Sequence, residues 1–117
     1  MKYSVAINRQ IDTGAQLNAL AHVAVGLAHL APSEMQAMRM FKDVEERPVG
    51  LMSDHPFIVL EAVNSNKLRQ AYLSALDLGL SANAFVIDMK AGNPVDQEET
   101  VSRKKSDDYL FVAFGCW

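Results

Sequence analysis

A chain of 117 residues is the size of one domain and can build a real core, since area scaling predicts that folding hides roughly two thirds of the unfolded surface. A composition that is 50% hydrophobic and 21% charged excludes a chain disordered throughout, and a net charge of −3 has the wrong sign for non-specific grip on a phosphate backbone. The single cysteine, Cys116, excludes an internal disulfide, and one cysteine with three scattered histidines excludes a cysteine-based zinc site.

Met1 to Ile7 includes Lys2, Tyr3 and Ser4 and lacks a long apolar core with a small-residue cleavage site, so a cytoplasmic location is expected. Tyr3 to Asn8, apolar and partly β-branched, suits a strand. Thr13-Gly14-Ala15-Gln16 matches a capping box and predicts a helix running to about Leu30, where Pro32 stops it. At about 100° per residue, Leu17, Leu20, Val23, Ala24 and Leu27 share one face of that helix, with Asn18, His22, Val25 and His29 opposite. Gln16, Asn18, His22 and His29 argue against a membrane span and for a buried helix.

Met35 to Ser53 has a poor pattern, broken by Glu45-Glu46-Arg47-Pro48 and Gly50, and is expected to be an irregular excursion with at most one edge strand. Phe57-Ile58-Val59-Leu60 is a continuous apolar run of the sort found in strands covered on both faces. A helix from Asn66 to Leu78 is capped by Ser65 and ends in a Schellman turn at Gly79-Leu80. Ala84-Phe85-Val86-Ile87 is the next strand, parallel to the one before the helix. Lys90 to Ser106 fits a short helix beginning at Pro94 as well as it fits a loop, and Tyr109 to Phe114 is a third buried strand. Residues 1–117 together predict a single domain, a three-layer α/β/α sandwich on a four-stranded mixed sheet.

Val5-Ala6-Ile7-Asn8, Thr13-Gly14-Ala15-Gln16 and Asn18-Ala19-Leu20-Ala21-His22 resemble the opening of the bacterial domain-of-unknown-function family two thousand. His55-Pro56-Phe57-Ile58-Val59-Leu60 and Phe85-Val86-Ile87-Asp88-Met89 resemble its second and third strands, so the resemblance covers essentially the whole chain. It implies the fold of type-2 peptidyl-tRNA hydrolases and supplies no activity. Those hydrolases carry lysines around a glycine before the first helix, then an alanine and a histidine on it. Gly14, Ala21 and His22 match, but Ile11-Asp12-Thr13-Gly14-Ala15 has no lysine. Asp88 stands near the hydrolases' acidic residue after the third strand.

In such sheets ligands favour the crevice beyond the carboxyl ends of the parallel strands. The ligand-binding candidates there are Asn8, Thr13, Gly14, Asn18 and Asp88, and the catalytic candidates are His22 and Asp88. His22 and His29 lie about 10.5 Å apart along a helix, too far to share one ion, so no metal site and no cofactor are expected. Cys116 lacks any nucleophile signature, and Arg103-Lys104-Lys105 is flanked by Glu98, Glu99, Asp107 and Asp108, which speaks against nucleic acid as a partner. The favoured function is a non-catalytic or cryptic small-ligand-binding module, with a hydrolase of an ester or peptidyl-tRNA-like substrate as the alternative. A homodimer is expected, through the small-residue rim Ala15, Ala19, Ala21, Gly26 and Ala28 with Phe114 and Trp117, unless the excursion folds back over these surfaces.

Overall fold

Buried Tyr3, Val5 and Ile7 alternate with half-buried Ser4 and Ala6, and Tyr3–Asn8 is strand β1 in the computed structural model, which describes residues 1–117. Helix α1 spans Thr13–Leu30. Its buried residues, Ala15, Ala19, Val23 and Leu27, recur every four positions, whereas Leu17, expected on that face, is exposed at the margin of the sheet. The cap is Asp12 and not Thr13. Asp12 holds the extended backbone a cap needs and its carboxylate accepts from the Ala15 N–H at 3.1 Å. The Gln16 side chain is therefore outside any capping box and donates to the Asn8 carbonyl at 3.0 Å.

The excursion proves to be an antiparallel hairpin, β2 (Met38–Lys42) paired with β3 (Pro48–Ser53), and it does not fold back over the helices. Every residue of β2, and all of β3 up to Met52, is exposed. Projection of this arm gives a radius of gyration of 15.7 Å and extents of 52 × 32 × 28 Å, against about 13.4 Å expected for a compact chain of this length.

The hairpin turn is held by Asp43, whose carboxylate accepts from the backbone N–H groups of Glu45 and Arg47 and from Arg47 Nε at 2.8–3.0 Å. The Arg47 backbone hydrogen bond, more than the other donors, holds the Asp43 carboxyl below its ordinary value of 3.8. A carboxyl whose pKa is lowered by folding stabilises the fold above its unfolded pKa, and that contribution is lost as pH falls through the folded pKa. Protection of the β2 and β3 amides, relative to their intrinsic exchange at each pH, is therefore expected to fall below about pH 4 while that of β1 does not, and D43N should abolish the difference.

Strand β4 is Phe57–Ala62, helix α2 is Ser65–Asp77 and β5 is Ala82–Val86. Asn64, not Ser65, caps α2, accepting from the Lys67 N–H at 3.0 Å. The helix ends as expected: Leu80 N donates to Ala75 O at 2.9 Å, Gly79 N donates to Leu76 O at 3.0 Å, and Gly79 has φ 67°. Ile87 leaves the ladder for a 3₁₀ turn over Ile87–Met89. Helix α3 (Pro94–Ser102) starts on Pro94 behind an Asn93 cap, and β6 is Phe111–Cys116.

The sheet runs β4-β1-β6-β5, with β4 parallel to β1 and β6 antiparallel to both β1 and β5. The strands flanking α2 thus share a direction but sit at opposite edges. One core packs Val23 and Leu27 of α1 on Val5, Ile7, Phe85 and Ala113, and the other packs Leu68 and Ala75 of α2 on Val86, Phe111 and Phe114, with Val101 of α3 against it. A bulge between Phe85 and Val86 sets Val112 and Ala113 side by side in the α1 core.

The expectation for β4 fails. Phe57, Ile58, Val59 and Leu60 lie on an outer strand and are between 36% and 58% exposed. Neither α1 nor α2 reaches far enough across the sheet to cover them.

Candidate functional site

Strands β1, β4 and β5 end on the same side of the sheet, where the loops after Asn8, Ala62 and Val86 gather. Asn8 is fully buried there. Its Nδ2 donates to the Phe111 carbonyl at 2.9 Å and its Oδ1 accepts from the Gln10 N–H at 2.9 Å. Fully buried and engaged at both ends, Asn8 pins the end of β1 to the start of β6.

Thr13 and Gly14 are exposed on the first turn of α1. A Cβ at Gly14 would meet only Asp12 Oδ2, at an ordinary 3.5 Å, so no close approach requires the glycine. Asn18, His22 and His29 are exposed along the helix, and the His22 ring stacks on Phe85 with centroids 5.5 Å apart. Asp88, 15% exposed, faces Lys104 Nζ, which lies 2.9 and 3.0 Å from its two oxygens. None of the five cavities described by their lining contains these candidates.

Sequence reasoning missed two cations. Lys104 stands in the run Arg103-Lys104-Lys105, and only the fold brings it to Asp88, sixteen residues away. Arg69 of α2 donates from Nε to Ser106 O at 2.8 Å and from Nη2 to Tyr109 O at 2.7 Å, reaches Asn66 with Nη1, and lies over the Phe111 ring. It helps line a polar hollow of about 480 Å³ at the start of α2. The groups around that hollow are already engaged, since Asn64 caps α2 and Ser65 Oγ accepts from the Phe111 N–H at 2.8 Å.

A more apolar cleft, of about 250 Å³, opens along the free edge of β5, at the other end of the sheet. Leu30 closes one side, Tyr72, Leu76 and Leu80 the other, and Asn83 with Ala84 forms the floor. Asn83 Nδ2 donates to the Val23 carbonyl at 3.2 Å, crossing α1 at Gly26, where a Cβ would overlap the carboxamide. Nothing in the sequence ties residues 26 and 83 together.

This crossing yields a signed prediction. Glycine to alanine inside a helix ordinarily stabilises by about 1 kcal/mol. G26A is expected to destabilise instead, because the displaced carboxamide leaves Val23 O. In an N83A background the same change should stabilise, with a coupling of about 1–2 kcal/mol in a denaturation double-mutant cycle. Additive effects would mean that the carboxamide moves aside freely.

The chain also resembles known proteins. Residues 1–116 match the family described as protein of unknown function, DUF2000. No curated protein matches the sequence. Among solved structures, a protein of unknown function, Atu0240 from Agrobacterium tumefaciens strain C58, superposes with a TM-score of 0.86 at 16% identity, over 98% of this chain and 84% of that one. At that identity the likeness shows a shared fold alone. No helix of this chain is long and apolar enough to cross a membrane. A match spanning all but the last residue settles membership: the chain belongs to the DUF2000 family.

Proposed function

We propose that this protein is a non-catalytic module that binds a small, mostly apolar molecule carrying one hydrogen-bonding group, in the cleft along β5. The observation that carries this reading is the lining of the cleft: seven of its nine residues are hydrophobic, and the Asn83 carboxamide is held on its floor. Binding sites combine apolar walls with a few fixed polar groups in this way, and about 250 Å³ lies just below the usual range of roughly 300–1,000 Å³, which favours a compact ligand. Ligand-observed NMR with a fragment panel tests it. Hits should shift the resonances of Leu76, Leu80 and Ala84, and A84F, which fills the floor, should abolish them. A panel that perturbs none of these residues overturns the assignment.

The second reading, a hydrolase with a type-2 peptidyl-tRNA hydrolase-like fold, draws on the Asp88–Lys104 pair. An ammonium beside a mostly buried carboxylate supplies the cation that Ile11 to Ala15 lacks. Incubation with peptidyl-tRNA and aminoacyl esters separates the readings. Turnover that falls at least about 100-fold in both D88N and K104M, the scale of general acid–base catalysis, supports the hydrolase. Absence of turnover in the wild type leaves the pair as a tether between the loop after α3 and the turn after β5.

A further inference from the structure

The dimer surface expected from the sequence is only partly free. Ala21 and Ala28 are exposed and Gly26 is half-buried, but Ala15, Ala19 and Phe114 are buried within the protomer and Trp117 packs against the α1 core. The uncovered apolar surface is instead β4 with the β2–β3 arm.

For a mass of 12.9 kDa area scaling gives a compact monomer about 6,300 Å² of accessible surface, whereas this chain exposes 7657 Å². The excess, about 1,300 Å², is larger than the roughly 800 Å² that each partner contributes to a stable interface. Met40, Phe41, Leu51 and Met52 on the arm stand in solvent, and a two-stranded hairpin is marginal in water without a surface to pack on.

The two edges of the sheet are built differently. Along β5 the ladder is irregular, because Val112 of β6 bulges opposite Phe85 and Val86, and the strand carries the polar Asn83. β4 has no charge, proline or bulge between Phe57 and Leu60. Tyr3 N donates to Pro56 O and Arg9 N to Ala62 O, so the even-numbered residues of β4 bond to β1. Phe57, Val59 and Glu61 consequently turn their N–H and C=O groups outward.

We propose that a second copy of this chain covers this face, with β4 pairing antiparallel to its own copy across a two-fold axis and the arms completing the interface. Centred on Val59, this register sets Phe57 opposite Glu61 of the other copy, satisfies every outward group and keeps the two Glu61 carboxylates at opposite ends. Because the pairing is isologous, the assembly closes at two copies and leaves no free β4 edge.

Light scattering and amide exchange on the intact protein test this together. At about 10 μM the mass should be twice that of the chain, and the outward amides of Phe57, Val59 and Glu61 should be protected as strongly as those facing β1. V59P removes an outward N–H without touching the β1 ladder, and it should weaken the dimer at least tenfold and expose the Phe57 and Glu61 amides. Should V59P fail to fold, M40K/L51K, at two exposed positions of the arm, should weaken the dimer by a similar factor with a native circular dichroism spectrum. A monomer persisting to about 100 μM overturns the proposal. So does a dimer whose Phe57, Val59 and Glu61 amides exchange freely, since that dimer uses another face.

Discussion

Replacement of Gly115 by alanine, the smallest possible addition, is expected to lower stability by about 1–3 kcal/mol, the cost of overpacking a filled core. Gly115 is a buried residue on β6, the strand paired on both sides in the middle of the sheet. A Cβ there would lie 2.8 Å from Leu27 Cδ1, 2.9 Å from Val23 Cγ1 and 2.9 Å from Val5 Cγ2, all inside contact distance. Val5, Val23 and Leu27 are themselves fully buried, so none can swing into solvent. Only a shift of α1 away from the sheet relieves the overlap, and that shift would loosen the packing of Ala15 and Ala19 as well. A fall in Tm of about 5–15 °C is expected for G115A, and G115V should not reach a native state under ordinary conditions. The cause is checked by V23A, which removes one of the three contacts. G115A should cost less in that background than alone, whereas equal costs would place the strain elsewhere.

Gly115 also shows where sequence reasoning stops. The elements themselves were legible, because β1, α1, α2 and β6 depend on local patterns of apolar spacing, caps and breakers that a short window contains. The Schellman turn at Gly79 could be read residue by residue. The two misplaced caps are a finer case: Asp12 and Thr13, or Asn64 and Ser65, are adjacent residues of equal capping chemistry, and the choice is made by which backbone is extended. The β2–β3 hairpin was hidden because Pro48 and Gly50 read as breakers. Pro48 in fact sits opposite Lys42 at the irregular end of the ladder, where its missing N–H is tolerated.

β4 was misread for a more informative reason. Four successive apolar residues suit a strand covered on both faces, and the pattern carries no information on whether the strand lies inside the sheet or at its edge. The site residues were the least legible. Asp88 finds its cation in the loop after α3, Asn83 its acceptor on α1 and Arg69 its acceptors before β6, all contacts set by the topology and by no local spacing.

Asn8 separates a binding residue from a structural one most sharply. N8A removes the donor to Phe111 O and the acceptor for Gln10 N, across a sequence separation of 103 residues in the first case. Each buried group left without a partner costs about 1–3 kcal/mol, and a cavity adds to it, so a loss of about 2–4 kcal/mol is expected. N8D is a stricter test, since its shape is conserved while the group facing the Phe111 carbonyl changes from donor to oxygen. Burial and that carbonyl would both disfavour the ionised form, so folding would raise the pKa of the new carboxyl. The folded state would then bind more protons than the unfolded one, and the variant would gain stability as pH falls from 7 towards 5, where the wild type should change little. Urea denaturation at the two pH values measures this directly. If N8A instead kept the wild-type denaturation midpoint, Asn8 would be dispensable to the fold and free to serve a ligand, and the pin between β1 and β6 would be wrong.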